Sequence, residues 1–429
     1  MSDLLIESQS KFTVNSGLTE PGAARVLARC EQLAELSSID YGVCRTYLTS
    51  EHKRCNQLVQ QWMQEAGMIA WEDQAGNCWG RYDTAESPQE ASVVLGSHLD
   101  TVVNSGKYDG ILGVLCAIEI VDNLSRQNIK LPCALEVVGF ADEEGTRFGA
   151  TLLGSRAVAG TWDAAWFDLP DAQGVTMSCA MEDFGLQPKD VFLADRSKDK
   201  LLAYLELHIE QGPVLEEQNL PVGIVTSIAG ARRFIFRLEG MAGHAGTVPM
   251  HMRRDPLVAA AHIIIEIEKI AQRNNIVATV GQIESFPGAV NVISGACEFS
   301  LDVRSGQDAS RDHSVEQILK YVHDTCAERN IKDITNEIHN ASAVKCASWI
   351  QRLSEQVIMA QGYTPTSLMS GAGHDAMAFD GVTDIGMLFL RCDGGVSHNP
   401  AEAVKEEDVH VGLNVFSDLI QQVCMHPKS

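Results

Sequence analysis

Helical segments that alternate with strand-like runs are the feature that most constrains how this chain can fold. Apolar residues recur at three- and four-residue spacing over Arg25–Glu35, Glu51–Ala66 and Ile111–Leu124, which predicts helices. Ser92–Leu95 and Ala134–Ala141 are largely apolar and predict buried strands. This alternation predicts an α/β fold in which a mostly parallel central sheet carries helices on both faces.

The pattern changes near Gly230. Alternating runs predict strands and helical spacing predicts helices, in the order Arg233–Glu239, Asp255–Gln272, Val277–Ile283, Cys297–Val303 and His313–Glu328. These five elements match the first five of a β-α-β-β-α-β order, which is typical of a small antiparallel sheet backed by two helices, so we expect a ferredoxin-like α+β domain.

The last part of the chain returns to the first pattern. A helix over Ala347–Gln361 leads to a buried run at Ile385–Leu390 and to a final helix over Glu406–Val423. The second domain is therefore predicted to be inserted into the first. We place the first domain at residues 1–229 and 343–429 and the inserted domain at residues 230–342.

Net charge restricts the partners of this chain. It has 33 Lys and Arg against 57 Asp and Glu, a formal net charge of −24. Such a chain repels phosphate backbones and anionic lipid surfaces, which argues against nucleic acid and membranes as partners. A small anionic substrate would need a local group of Arg or His.

Cysteine usage and the apolar runs predict a cytoplasmic protein. The 12 cysteines form no CxxC pair, and we expect them to be reduced. The opening residues MSDLLIESQSKF lack the basic and apolar regions of a signal peptide. The longest apolar runs fall short of the roughly 18 residues that suggest a membrane span.

Clusters of His, Asp and Glu lie beside glycines or at predicted strand ends, where parallel sheets place their ligands. They are His98-Leu99-Asp100, Asp109-Gly110, Asp142-Glu143-Glu144, Glu206-Leu207-His208 and Ser397-His398-Asn399-Pro400. Imidazoles and carboxylates from separate strand ends can hold a pair of divalent metals that share one carboxylate. Such donors suit Zn²⁺, Mn²⁺ or Co²⁺, and the lack of thiolates argues against a structural cysteine-type zinc site.

Three carboxylates near these metals have predicted supporting roles. Asp100 follows His98 by two residues and is placed to accept its free ring N–H. Glu143 and Glu144 would point in opposite directions on extended backbone, so one can bind metal while the other acts as a general base. Taken alone, each cluster could be a solvated turn, and each His a surface or core residue. The presence of all five clusters in one chain favours a single metal site.

Seven motifs are distributed along the chain, at Ser97–Val102, Tyr108–Gly110, Asp142–Phe148, Glu206–Gly212, Gly243–Met250, Gly371–Ala376 and Ser397–Glu402. Together they resemble the amidase branch of the aminoacylase/carboxypeptidase metallohydrolases, and the resemblance runs from about Arg45 to about Asp418. The branch includes allantoate amidohydrolases, N-carbamoyl-L-amino acid hydrolases and the yeast-type β-ureidopropionase. Gly139–Glu144, Leu152–Ser155 and Met387–Cys392 are most similar to plant-like allantoate amidohydrolases, whereas Leu153–Arg156 also resembles the carbamoylases.

The resemblance implies two divalent metal ions per subunit, Mn²⁺ or Zn²⁺. One would be held by His98 and His208, the other by Glu144 and His398, and Asp109 would bridge them. Glu143 would be the base that activates the bridging water, and Asp100 would orient His98.

The resemblance also implies residues that bind substrate. Gln211 would contact the ureido group, and His374 would belong to the substrate or transition-state shell. In the inserted domain, a lid and homodimer interface in this family, His244 would stabilise the oxyanion, Asn291 would help bind it or the substrate, and Arg304 would clamp the substrate carboxylate.

The residues themselves leave alternatives open in the inserted domain. Arg304 ends an alternating strand, where its guanidinium could grip a carboxylate through two hydrogen bonds or simply face solvent. His244 could equally be a turn residue between Gly243 and Gly246. Met252–Asp255 favours a charged helix start over a phosphate site.

We therefore expect hydrolysis of a ureido C–N bond in a small carboxylate, with allantoate cleaved to ureidoglycine, ammonia and CO₂ in purine catabolism. The nearer alternative is an N-carbamoyl-L-amino acid hydrolase or β-ureidopropionase. A conventional dipeptidase and a non-catalytic scaffold are more distant. Loss of a metal ligand or of the base would favour the scaffold, and none of them is missing.

Overall fold

The computed structural model of this chain describes residues 21–84 and 91–426. The segment in which we predict no signal peptide lies outside these residues. The described chain forms two compact units. The first contains residues up to 224, 347–367 and 374–426, and the second contains 225–346 and 368–373. Residues 225–229, 343–346 and 368–373, which were expected in the first domain, belong to the second unit.

The helices and strands are numbered in chain order. The helices are α1 (Pro21–Ala34), α2 (Ser50–Glu65), α3 (Ile111–Arg126), α4 (Leu153–Val158), α5 (Met177–Phe184), α6 (Val214–Glu217), α7 (Pro256–Asn274), α8 (Asp308–Glu328), α9 (Ser348–Ala360) and α10 (Glu406–Met425). Short 3-10 helices span Ala164–Asp168, Pro188–Ala194, Met250–Met252, Asp375–Phe379 and Asp393–Gly395. The strands are β1 (Ile69–Glu72), β2 (Cys78–Tyr82), β3 (Ala91–His98), β4 (Ala134–Phe140), β5 (Lys200–Ile209), β6 (Val222–Ile228), β7 (Gly230–Glu239), β8 (Gly243–His244), β9 (Val277–Thr279), β10 (Ile283–Phe286), β11 (Val292–Ile293), β12 (Ala296–Ser305), β13 (Lys332–Ala341), β14 (Val344–Lys345), β15 (Ser367–Ser370) and β16 (Ile385–Leu390).

The first unit is built on a mostly parallel sheet. Strands β1, β2, β4, β3, β5 and β16 are neighbours in that order. The pairs β3–β4, β3–β5 and β5–β16 are parallel, whereas β1 and β2 are antiparallel additions at one edge. The predicted α/β class with a mostly parallel central sheet is confirmed. Parallel strands end at a common edge, so the residues at the ends of β3, β4 and β5 meet there.

Helix α3 positions Asp109 at that edge of the sheet. It is apolar around most of its circumference because it packs between the sheet and the helices α1 and α10. Leu112, Leu115 and Ile118 are fully buried, and each such side chain contributes roughly 1.5–3 kcal/mol relative to exposure. The helix begins at Ile111, so its packing also fixes the position of Asp109 just before it.

The second unit contains an antiparallel sheet with the strand order β10-β12-β7-β13, in which β9 also pairs with β12. Helices α7 and α8 share its apolar core. The strand predicted over Val277–Ile283 is in fact two strands. Thr279 pairs with Asp302, and Ile283 pairs with Phe299. Between these two pairs, the segment that joins β9 to β10 advances by four residues while β12 advances by three. The extra residue breaks the ladder as a bulge does.

Two expectations from the sequence concern membrane-spanning segments and the oxidation state of the cysteines. Within residues 21–84 and 91–426, no helix is both long and apolar enough to cross a bilayer. All twelve cysteines lie in this part of the chain as free thiols, and Cys179 is exposed while the others are buried.

Candidate metal centre

Asp109 lies at the centre of the candidate site and is 3% exposed. Its Oδ1 is 3.2 Å from Nε2 of His208 and 3.7 Å from Nε2 of His98. Its Oδ2 is 3.1 Å from Nε2 of His398. One carboxylate therefore faces two imidazoles with one oxygen and a third imidazole with the other.

The donors around Asp109 form two groups that share it. His98, Asp109 and His208 form one group, and Asp109, Glu144 and His398 form the other, with the donor atoms of each group within 4.8 Å of one another. Oδ1 of Asp109 and Nε2 of His208 are buried and make no hydrogen bond. Buried polar atoms rarely lack a partner. The mixed imidazole and carboxylate donors fit two divalent ions.

The two buried histidines are oriented by backbone carbonyls. Nδ1 of His208 lies 2.8 Å from the carbonyl oxygen of Ile209, and Nδ1 of His98 lies 3.1 Å from the carbonyl oxygen of Asp100. A carbonyl accepts from Nδ1–H, so Nε2 is the ring nitrogen that each histidine presents to the Asp109 carboxylate.

Asp100 contacts both His98 and the turn after β4. Its carboxylate Oδ1 lies 3.5 Å from Nδ1 of His98, and its own carbonyl oxygen lies closer, at 3.1 Å. The carboxylate also accepts backbone N–H groups from Glu143 at 2.9 Å and from Glu144 at 3.2 Å. Asp100 therefore holds the turn that carries both glutamates.

This turn also corrects the predicted extended conformation of Glu143 and Glu144. Both residues lie in a bend after β4, because their N–H groups converge on Asp100. The two carboxylates and His98 form a further group of possible metal donors. Burial raises the pKa of Glu143 well above its ordinary value, and Glu144 adds to the shift although His98 opposes it. A raised pKa suits a base that works near neutral pH.

Charge interactions stabilise the ionised form of Asp109. Burial alone would raise its pKa, but the imidazoles of His208, His398 and His98 outweigh burial and hold the pKa well below its ordinary value. The carboxylates of Asp109 and Glu144 raise the pKa of His398 to about 10. The site therefore holds a permanent carboxylate that attracts cations.

Gly110 allows His98 and Asp109 to approach each other. Its φ is +71°, and a Cβ at this position would lie 2.4 Å from the His98 ring. Any larger residue would displace that ring and strain the backbone.

Two predicted substrate residues lie beside this centre. Gln211 donates from Nε2 to Oδ2 of Asp109 at 2.9 Å, and its own Oε1 is buried without a hydrogen bond. The ring of His374 meets that of His208 edge-on, with ring centres 4.5 Å apart. Burial, together with His208, holds the pKa of His374 well below its ordinary value, so His374 is neutral at pH 7.

The other three predicted residues lie in the second unit. His244 is exposed on β8, and β8 pairs with β11 so that Ala245 N–H donates to the carbonyl of Asn291 at 3.0 Å. Arg304 donates from Nε and Nη2 to the carboxylate of Asp302 at 3.1 and 2.8 Å, and from Nη1 to the carbonyl of Gly371 at 2.7 Å. The guanidinium predicted to clamp a substrate carboxylate is thus oriented by Asp302.

Several polar groups to which the sequence assigns no role lie near the site. They are Asp142, Glu206, Asp375, Ser397 and Glu402. Glu206 precedes His208 by two residues and so lies on the same face of β5, a spacing that could have identified it. It accepts hydrogen bonds from Ser97 Oγ at 2.8 Å and Tyr204 Oη at 3.2 Å.

Comparison with known proteins gives a consistent result. The model of peptidase family M20/M25/M40 matches residues 94–422. The chain is 42% identical to an N-carbamoyl-L-amino acid amidohydrolase of Geobacillus stearothermophilus, over 89% of this chain and 93% of the relative. It is 38% identical to a probable allantoate deiminase of Oryza sativa subsp. japonica, over 92% and 87%. The crystal structure of a hydantoinase/carbamoylase family amidase from Burkholderia multivorans superposes with a TM-score of 0.88 at 29% identity, over 94% of this chain and 98% of that one.

Proposed function

This chain belongs to peptidase family M20/M25/M40, and on that premise we propose that it is an amidohydrolase that cleaves a ureido C–N bond of a small carboxylate, with allantoate as the substrate. The main observation in support of this proposal is that Asp109 is shared between two groups of imidazole and carboxylate donors. The names of the relatives, amidohydrolases and deiminases of carbamoyl amino acids and allantoate, support this class of substrate.

We propose that the two donor groups hold two divalent ions, Mn²⁺ or Zn²⁺, with Asp109 bridging. When bound, such ions polarise a carbonyl and lower the pKa of water. Glu143 takes the proton of the attacking water and returns it to the leaving nitrogen. Asp100 keeps the Glu143 turn in place, and the unpaired Oε1 of Gln211 accepts an N–H of the ureido group.

The remaining assignments are proposals that the resemblance supports. His244 stabilises the oxyanion, and Asn291 helps to bind the oxyanion or the substrate. His374 belongs to the substrate or transition-state shell, and Arg304 binds the substrate carboxylate. We also propose a homodimer formed through the second unit. Leu257, Val258 and Ile265 of α7 expose apolar side chains there, as an interface would require. The predicted cytoplasmic location stays a prediction.

A substrate panel tests the reaction. The purified chain, supplied with Mn²⁺, is assayed for product release with allantoate, N-carbamoyl-L-amino acids, N-carbamoyl-β-alanine, ureidoglycolate and a dipeptide. We expect ammonia from allantoate with the highest kcat/KM. The highest kcat/KM on an N-carbamoyl-L-amino acid would instead establish the carbamoylase alternative, and cleavage of the dipeptide alone would contradict a ureido hydrolase.

Arg304→Lys tests carboxylate binding. Lysine cannot reproduce the paired hydrogen bonds of a guanidinium. Hydrogen bonds to charged groups contribute roughly 1.5–3 kcal/mol, so we expect KM for the preferred substrate to rise about 10- to 100-fold with little change in kcat. Steady-state kinetics measure both constants.

The matched control is Arg233→Lys. Arg233 also contacts Asp302, at 3.0 Å through Nε, but has no proposed role in binding. An unchanged KM in Arg304→Lys, or an equal rise in Arg233→Lys, would remove Arg304 from the substrate site.

A further inference from the structure

We infer that Glu402 is a positioning residue that joins the loop of Asp109 to the loop of His398, so that both side chains can hold the same ion. This role rests on the proposed function and extends it to a residue that none of the predicted ligand or substrate roles includes.

One carboxylate oxygen of Glu402 holds the backbone at Asp109. Oε1 accepts the backbone N–H of Tyr108 at 2.8 Å and that of Asp109 at 3.1 Å. These residues precede Glu402 by 294 and 293 positions. The side chain is 4% exposed, and buried N–H groups need such an acceptor. Oε1 therefore fixes the main chain immediately before α3.

The other oxygen reaches the loop of His398. Oε2 of Glu402 lies 3.0 Å from Oγ of Ser397, which also lies 3.0 Å from Oδ2 of Asp109. The backbone N–H of Glu402 donates to the carbonyl of Asn399 at 3.0 Å and closes the turn that directly follows His398. Glu402 thus connects both loops through one side chain.

Packing alone would not hold His398 in place. Its side chain is 48% exposed, and its φ of +54° lies in the left-handed region that residues with a Cβ rarely adopt. Nε2 nevertheless lies 3.1 Å from Asp109 and 3.3 Å from Glu144. Contacts of the His398 ring with these two carboxylates and the hydrogen bonds of its loop maintain this position, and Glu402 links that loop to Asp109.

Gly106 leaves space for the side chain of Glu402. A Cβ on Gly106 would lie 2.3 Å from Cβ of Glu402. Only glycine permits this approach, so the loop before Asp109 is built closely around Glu402.

Titration of the metal-free full chain with Mn²⁺ by calorimetry tests the inference. Loss of groups that support metal ligands typically costs roughly 10- to 100-fold in affinity. We expect Glu402→Ala to weaken the ion on the His398 side by about this factor and to leave the ion on the His208 side close to wild type.

Conservative and control variants separate positioning from general stability. Glu402→Gln keeps an Oε1 acceptor for both N–H groups, and its amide can donate to Ser397, so we expect affinity close to wild type. Asp408→Ala removes a carboxylate that is 3% exposed and bonded to Arg391 at 2.6 and 2.8 Å, outside the site. We expect it to bind Mn²⁺ as the wild type does.

Wild-type affinities for both ions in Glu402→Ala, or an equal loss in Asp408→Ala, would overturn the role of Glu402. If Glu402→Ala does not fold, Ser397→Ala decides, because it keeps the hydrogen bonds of Oε1 to Tyr108 and Asp109 and removes the hydroxyl through which Oε2 reaches Asp109. A weaker ion on the His398 side then supports the inference, and unchanged binding refutes it. A wild-type chain that binds no Mn²⁺ would instead refute the proposed function.

Discussion

Glu143→Gln is expected to bind both metal ions as the wild type does and to lose turnover on the order of 10³-fold, within the range of general base catalysis. Glutamine has nearly the same shape but accepts no proton at neutral pH. The backbone N–H of residue 143 would still donate to Asp100, so the turn that carries Glu144 should persist. Ammonia release and elemental analysis of the purified variant measure the two properties.

The control for this variant is Glu72→Gln. Glu72 is also partly buried, and burial raises its pKa, but it accepts its hydrogen bond from Asn56 at 2.8 Å, outside the site. We expect full turnover from it. Near-normal turnover in Glu143→Gln would show that another group is the base, and loss of an ion would show that Glu143 is a ligand.

The fold of the first unit could be predicted largely from local sequence. The apolar runs that became β3, β4 and β16 are buried on both faces, so their composition alone distinguishes them from surface strands. The three- and four-residue spacing of apolar residues over Ile111–Leu124 likewise predicts helix α3. His98 and His208 then follow as donors, because each lies at or next to the last residue of a parallel strand.

The details of the site depend on contacts between distant residues. The bend at Glu143 and Glu144 is imposed by Asp100, more than forty residues earlier, whereas the prediction considered only local backbone geometry. The bulge between β9 and β10 likewise depends on its pairing with β12. A single sequence does not reveal which partner a strand or a turn will meet.

Glu402 shows the same limit at larger separation. In the sequence it is the last residue of the Ser397–Glu402 motif, but its residue type alone does not distinguish its role from that of exposed glutamates such as Glu406. Only the folded chain brings its carboxylate to the backbone of Asp109. Residues that position ligands are therefore harder to predict than the ligands, whose chemistry restricts their type.

Removal of the metal ions is expected to abolish turnover and to lower the melting temperature, and both should recover when Mn²⁺ or Zn²⁺ is returned. A ligand that binds only the folded chain at about 1,000 times its Kd stabilises that chain by about 4 kcal/mol. In the metal-free chain, Oδ1 of Asp109 and Nε2 of His208 would lack the cation that their burial calls for. Dialysis against a chelator, elemental analysis, calorimetry and ammonia release provide the measurements.

Which ion restores turnover depends on the imidazole and carboxylate donors of the site. Three imidazoles surround Asp109, and imidazole favours Zn²⁺, Mn²⁺ or Co²⁺ over Mg²⁺, which prefers oxygen ligands. We therefore expect Mg²⁺ to restore little turnover at concentrations at which Mn²⁺ restores it fully. Asp109→Ala, which lacks the shared carboxylate, should recover with neither ion. If a chain shown to contain no ion kept its full turnover, the reaction would need no cation between the donors. The five donors, His98, Asp109, Glu144, His208 and His398, would then serve another purpose.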